Sequence, residues 1–374
     1  MHFETKAIHA GIDVENPNAD VVPPIHRSTV FEHREGGYQE GDMNYTRAVN
    51  PNRLRLEHLL AQLEEGEACA TFASGVAAAT AVFQALEPGD HVIMPADVYA
   101  GNSKLLNEIL IPWGLDVDYI PMDDLEVIED TIQDSTKLIW IETPSNPMLN
   151  ITDIAAVSEL AHEYSAITCV DNTWPSPVNQ LPLKLGADLV LHSTTKYFGG
   201  HSDILGGAVI APAADGIMER IRNIQITMGA VPSPEDCWLL SRSIRTLPYR
   251  MRGHNENAAK LASFLDNHSN VKKVFYPGLE THPGHEIAQK QMSGFGGMIS
   301  FLVNGGREET LKVTGGSRII TQATSLGGVE STWEQRRSSE GPDSDTPENL
   351  IRISVGLEHP DDLLEDLEQA LKQI

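Results

Sequence analysis

The chain is 374 residues long, 41% hydrophobic and 21% charged, with a formal net charge of -26. These proportions belong to a water-soluble globular protein with length for two substantial cores, and so negative a surface argues against nucleic acid or an anionic membrane as partner, since both would repel it. No apolar run approaches the roughly 18 residues that would span a membrane, and the N-terminus lacks a basic segment followed by an apolar one, so a cytoplasmic setting is expected.

Residues 1–48 read as an irregular arm punctuated by Pro17, Pro23, Pro24, Gly36, Gly37 and Gly41. A stretch this long without periodicity is expected to be functional or to pack on a partner. A helix opens at Pro51, a residue suited to a first turn, and Leu56, Leu59, Leu60 and Leu63 give it an apolar face. Ala68 to Ala79 reads as a strand, a tight turn at Ser74-Gly75, and a small-residue helix running to Leu86. Strands are expected at 91–95, 115–120, 137–142, 166–171, 187–192 and 206–211, with helices between them, notably 152–164 capped by Thr152 or Asp153. Such alternation builds a mostly parallel or mixed sheet covered by helices. After about residue 247 the pattern becomes a helix (254–266), short strands near 271–276, 297–303 and 350–355, and an acidic amphipathic helix from Pro360. The expected division is an N-terminal arm (1–48), a large α/β domain (49–247) and a smaller α+β C-terminal domain (248–374). Only 338–347 resembles a flexible polar loop.

Cys69, Cys169 and Cys237 are odd in number and far apart, so they are read as inert thiols rather than a disulfide or metal framework. No histidine spacing makes a convincing metal site. His254, His268, His282 and His285 come nearest, but His282-Pro-Gly-His285 reads as a turn.

The chemistry gathers around His192-Ser-Thr-Thr-Lys-Tyr-Phe-Gly-Gly-His-Ser-Asp203, which follows the buried-strand run 187–191. Lys196 thus sits just past a strand end, where open α/β sheets bind ligands, and can form a Schiff base with a carbonyl cofactor. Ser193 and Thr195 suit that cofactor's phosphate, as do the free amides at Ser74-Gly75-Val76, where a helix opens. Asp171 closes the apolar run 166–170, a place from which a carboxylate can keep a pyridine nitrogen protonated; a helix N-cap or an ordinary loop acid is the alternative. Tyr99 can stack on a ring or line the core. Arg352, in an alternating strand, can grip a substrate carboxylate or face water.

These residues carry a resemblance. The motifs Tyr45-Thr46-Arg47-x-x-Asn50-Pro51, Phe72-Ala73-Ser74-Gly75, Glu142-Thr143-Pro144-Ser145-Asn146-Pro147, Asp171-Asn172-Thr173, Ser193-x-Thr195-Lys196-Tyr197, Gly200-His201-Ser202-Asp203, Ser325-Leu326-Gly327-Gly328-x-Glu330-Ser331 and Arg352-x-Ser354-x-Gly356-Leu357-Glu358 are similar to those of the Cys/Met-metabolism family of pyridoxal-phosphate enzymes. That transsulfuration group includes cystathionine γ-synthase, γ-lyase and β-lyase. The resemblance implies the aspartate-aminotransferase fold (fold type I) and a homotetramer of two active dimers. It also implies elimination or replacement at the β or γ carbon of cystathionine or a related homoserine or cysteine derivative. It makes Lys196 and Tyr99 the catalytic residues, the lysine carrying pyridoxal 5'-phosphate and shuttling protons, the tyrosine stacking on the ring. It assigns Asp171 to the ring nitrogen, and Ser74, Gly75, Val76, Thr173, Ser193 and Thr195 to cofactor binding, helped by Tyr45 and Arg47 from a neighbouring subunit. Asn146, Ser325 and Arg352 are implied to hold the substrate, with Glu142 in support.

The sequence also departs from the family pattern. Asn44 and Thr324 stand where γ-enzymes often have acids, which bears on recognition of a distal ammonium group. Ala100-Gly101-Asn102 replaces the usual Gly-Gly-Thr, and Trp174 a common Phe. The stretch Trp333-Glu334-Gln335-Arg336-Arg337 is unfamiliar, and either presents cations at the site mouth or lies on the surface.

Overall fold

In the computed structural model, residues 1–374 are described except 34, 40, 215 and 341–343. Seven strands form the first sheet: β1 (Ala68–Phe72), β2 (His91–Pro95), β3 (Asp116–Ile120), β4 (Thr136–Glu142), β5 (Ile167–Asp171), β6 (Leu189–His192) and β7 (Gly207–Ala211). Their order is β1-β7-β6-β5-β4-β2-β3, and all pairings are parallel except the two that β7 makes. The inner strands are short, branched and buried on both faces, as a helix-covered parallel sheet requires. One face packs Phe83, Trp140 and Leu106. The other divides between a cluster of Ile139, Ile141 and Val170 and one of Leu60, Val190 and Met251. Since β7 alone runs backwards, the carboxyl ends of β1, β2, β4, β5 and β6 open on one edge.

The second sheet has order β10-β11-β12-β9-β8, from β8 (Val271–Phe275), β9 (Met298–Val303), β10 (Thr321–Gln322), β11 (Thr332–Gln335) and β12 (Leu350–Ser354). A core of Leu261, Phe301, Trp333, Ile351 and Leu367 fixes the helices Leu247–Asp266 and Pro360–Leu371 against it. The last helix shows why it forms. His359 caps it, Pro360 begins it, Asp361 and Asp362 meet the positive end of its dipole, and Leu363, Leu367, Ala370 and Leu371 repeat on one buried face. No helix of the described residues is long and apolar enough to cross a membrane.

The expected strands appear within two residues of their places, and the 152–164 helix is Ile154–Glu163, capped by Asp153 through Ala156 N at 3.1 Å. The His282–His285 turn closes through His285 N to His282 O at 3.0 Å. Four expectations need correction. The arm contains a short helix, Phe3–His9, whose Ala7 packs with Leu56 and Leu59; tertiary burial forms it, not local periodicity. The 254–266 helix begins at Leu247, with Pro248 in its first turn. Helices Gly216–Met228 and Pro234–Ile244 and strands β10 and β11 were not expected. Within 338–347, a turn of helix (Arg337–Glu340) forms because the Glu340 carboxylate accepts from Ser344 and Thr346; 341–343 lie outside the described residues.

Candidate active site

The open edge of the first sheet first supplies an anion cradle. Ser74 caps the helix Gly75–Gln84, its Oγ accepting Ala77 N at 3.0 Å and its carbonyl Ala78 N at 3.1 Å. The Gly75 and Val76 amides remain, with no acceptor inside the helix. A Cβ on Gly75 would stand 2.8 Å from Ser193 Cβ, so glycine is what lets the Ser193 hydroxyl close on this helix end. Ser193 is set by its own amide, which donates to Thr173 Oγ1 at 2.8 Å. Thr195 is tied elsewhere: its hydroxyl accepts Gly206 N at 3.0 Å and donates to Gly206 O at 3.3 Å.

Two acids stand side by side at the ends of β4 and β5, Glu142 opposite Asp171 in register. Burial pushes both carboxyls above their usual range, and for Glu142 the neighbouring Asp171 adds to it. The pair is not symmetric. Asp171 accepts Thr173 N at 3.0 Å, and the Thr173 hydroxyl, His192 and Lys196 also favour its charged form. Among the described residues Glu142 accepts Tyr99 N, at 3.0 Å, and faces Asp97 as well, with the Arg336 charge acting the other way. More groups thus favour the charged form of Asp171 than that of Glu142, which burial and Asp171 both push upward. Asp171 is the last residue of its strand, not a helix cap. Beneath it lies a fully buried polar group: His192 Nε2 and Glu64 Oε1 at 2.5 Å, and Asn172 Nδ2 donating to the same oxygen at 2.8 Å.

Lys196 extends from the first sheet to meet the second. Its Nζ donates to Ser325 Oγ at 2.5 Å, and burial, aided by the positive charges of Arg352 and Arg336, lowers its pKa to about 8. Arg352 reaches the same cavity from β12. All of β12 is buried, so its alternation does not turn the arginine to water. The guanidinium donates to Asn146 Oδ1 at 2.9 Å, Ser325 O at 3.3 Å and Glu334 Oε1 at 2.6 Å. Burial lowers its pKa to about 10, which leaves it fully charged at neutral pH. Tyr99 stands half exposed at the lip, not in the core.

A cavity of about 250 Å³ thus brings together Ser74, Gly75, Val76, Tyr99, Glu142, Asn146, Asp171, Thr173, Ser193, Thr195, Lys196, Ser325 and Arg352. Two expected residues are not in it. Arg47 donates to Ile226 O at 2.7 Å and lies over the Tyr45 ring, with both side chains outside the cavity of their own chain. The structure adds Asn102, Trp174, Leu205 and Thr324 to the lining, and Glu334 behind Arg352. Trp174 and Thr324 were visible as departures from a motif, whereas Leu205 carried no signal beyond its place after a Gly-Gly loop. Trp333, Gln335 and Arg336 are buried and none of the stretch lines the cavity, while Arg337 stays partly exposed beside Glu348. The donor set fits pyridoxal 5'-phosphate. Two free amides and a hydroxyl would suit its phosphate, a buried carboxylate its pyridine nitrogen, and a desolvated amine its aldehyde.

Comparison with known proteins leads the same way. A family model described as Cys/Met metabolism PLP-dependent enzyme matches residues 4–372. Cystathionine gamma-synthase of Mycobacterium leprae (strain TN) is 45% identical over 373 residues, 98% of this chain and 96% of the relative. Cystathionine gamma-lyase of Bacillus subtilis (strain 168) is 42% identical over 386 residues, spanning 100% of both. The crystal structure of metB from Corynebacterium glutamicum superposes with a TM-score of 0.96 at 42% identity, covering 100% of this chain and 98% of that one. Matched by the family model over nearly its whole length and by relatives above 40% identity, the chain belongs to the Cys/Met metabolism family of PLP-dependent enzymes.

Proposed function

We propose that this enzyme makes or breaks the bond to sulfur at the γ carbon of cystathionine or a related homoserine derivative. The observation that carries the reading is the contact of Lys196 Nζ with Ser325 Oγ, because it puts a proton-moving amine beside the carboxylate grip of Arg352. Similarity to a γ-synthase and a γ-lyase supports the choice of Cγ.

Bound pyridoxal phosphate supplies an electron sink for the pair left when the Cα proton departs. The chain's residues do the rest. The Gly75 and Val76 amides and the Ser193 hydroxyl hold the phosphate, and Asp171 keeps a proton on the ring nitrogen. Tyr99 covers the ring from the lip. Arg352 and Asn146 fix the substrate carboxylate, which turns Cα towards Lys196. With a pKa near 8 the Lys196 amine is a competent general base at neutral pH, and its flexible stem lets it carry a proton from Cα towards the departing group. Thr324 is neutral, so a distal ammonium finds no carboxylate there.

We further propose that residues 1–48 act as an arm on a neighbouring subunit, Tyr45 and Arg47 completing that subunit's phosphate site in a homotetramer of active dimers. Exposed Val21, Val30 and Tyr45 on the arm, and exposed Leu205 at the cavity rim, are apolar surface that such an assembly would cover. The three buried, free thiols fit a reducing compartment, and we infer a cytoplasmic enzyme. The deciding assay is product analysis. Cystathionine should yield 2-oxobutyrate and cysteine, or an activated homoserine plus cysteine should yield cystathionine. Pyruvate and homocysteine as the main products would overturn the γ assignment.

A further inference from the structure

The unfamiliar stretch of the sequence lies directly behind the carboxylate grip. On β11, Glu334 pairs opposite Arg352 of β12. One oxygen, Oε1, accepts from Arg352 Nη2 at 2.6 Å and from Arg336 Nη1 at 2.8 Å, while the other, Oε2, accepts the Ser339 hydroxyl at 2.5 Å. Arg336 is anchored in turn by its Nε to Glu340 Oε1 at 2.7 Å, and the Glu340 carboxylate is held by Ser344 and Thr346. The side chains of Arg352, Glu334, Arg336 and Glu340 are between 4% and 11% exposed, so water screens this row of alternating charge weakly.

A carboxylate free to choose would engage a guanidinium with both oxygens. Here Arg336 and Ser339 together prevent that. Glu334 touches Arg352 through one shared oxygen, Asn146 and Ser325 take one contact each, and further donors of the Arg352 fork remain for a ligand. We propose that Arg336 is a positioning residue that restrains Glu334 as a half-engaged counterion, keeping Arg352 aimed and open for the substrate carboxylate. Without Arg336, Glu334 turns onto Arg352 as an internal competitor, and the pocket also loses a positive charge. The inference rests on the reading of Arg352 as the carboxylate grip.

The test uses the cofactor-loaded enzyme and two competitive inhibitors, glycine and ethanolamine, which differ in the carboxylate. Arg336→Gln should raise the inhibition constant of glycine about tenfold and leave that of ethanolamine unchanged, with KM rising and kcat little altered. Arg336→Gln combined with Glu334→Gln removes the competitor and should return glycine to within about threefold of the parent. Glu334→Gln alone should make glycine bind more tightly, a gain that structural damage does not produce. The proposal is overturned if the double variant is as weak as Arg336→Gln, if glycine and ethanolamine shift together, or if Glu334→Gln weakens glycine. Arg352→Gln separates the two levels. If it leaves glycine unaffected, the grip itself is misassigned; if it weakens glycine while Arg336→Gln does not, only the role of Arg336 fails.

Discussion

The asymmetry of the two strand-end acids has a measurable consequence in Glu142→Gln. A glutamine has the shape of the protonated acid and can still accept the Tyr99 amide. The ionised acid is what this site disfavours, through burial first and the adjacent Asp171 second. A carboxyl whose folded pKa lies above its unfolded value binds more protons folded than unfolded between the two. Stability then falls as pH rises from the unfolded value, about 4.3, towards the folded one. Each unit of that difference costs about 1.4 kcal/mol. Glutamine removes the slope, so the variant should gain on the parent from pH 5 to pH 8. One such unit corresponds to roughly 2 °C in Tm for a chain this size. Scanning calorimetry of parent and variant across that range, with and without cofactor, reads it. Activity should survive within a few-fold, whereas Glu142→Ala also loses the Tyr99 contact, worth about 1 kcal/mol. The reasoning fails if Glu142→Gln loses Tm relative to the parent as pH rises, because that would mean an ionised, stabilising Glu142.

Lys196→Ala should abolish turnover yet still retain cofactor noncovalently, and steady-state activity in that variant would remove the lysine from its role. In the parent apoprotein, the rate of cofactor capture should rise with pH and level off above about 8, where the amine is neutral; a rise continuing past pH 10 would contradict the lowered pKa. Arg47→Ala should weaken cofactor retention, and mixed oligomers with Lys196→Ala should recover part of the activity; no recovery would place the arm on its own chain. In Gly101→Ala the new Cβ would stand 2.3 Å from Tyr99 Cε1, so the ring must move and cofactor affinity by equilibrium dialysis should fall; unchanged affinity would remove Tyr99 from the ring. Screening of the -26 net charge should raise Tm between 0.1 and 2 M KCl, and a flat response would refute a self-repelling surface.

The parts of this molecule that could be read from sequence are those specified by adjacent residues. The run 187–191 with Lys196 behind it, and Ser74-Gly75 before a small-residue helix, each carry strand, turn and ligand group within about a dozen positions. The Ser233-Pro234-Glu235-Asp236 start of helix Pro234–Ile244 is equally local, since Ser233 Oγ accepts Asp236 N at 3.1 Å. Strands β10 and β11 are two and four residues long, too short for a period to register. Arg352 misleads for a different reason. Its alternating strand is covered on both faces, so period-two patterning no longer distinguishes water from pocket.

What local patterning cannot supply is register. Glu142 and Asp171 face each other because β4 and β5 pair Leu138 with Ile167; a slip of one residue would turn one acid into the core and separate the pair. Glu64 meets His192 across 128 positions, and Glu334 meets Arg352 only because β11 and β12 are antiparallel at that alignment. The titration of Lys196 depends on these distant pairings. Its amine is depressed by burial and by two arginines carried on the other sheet, so its chemistry is set where the two sheets close on each other. A sequence motif marks the lysine, but the packing around it, the second sheet included, is what lowers the pKa of its amine.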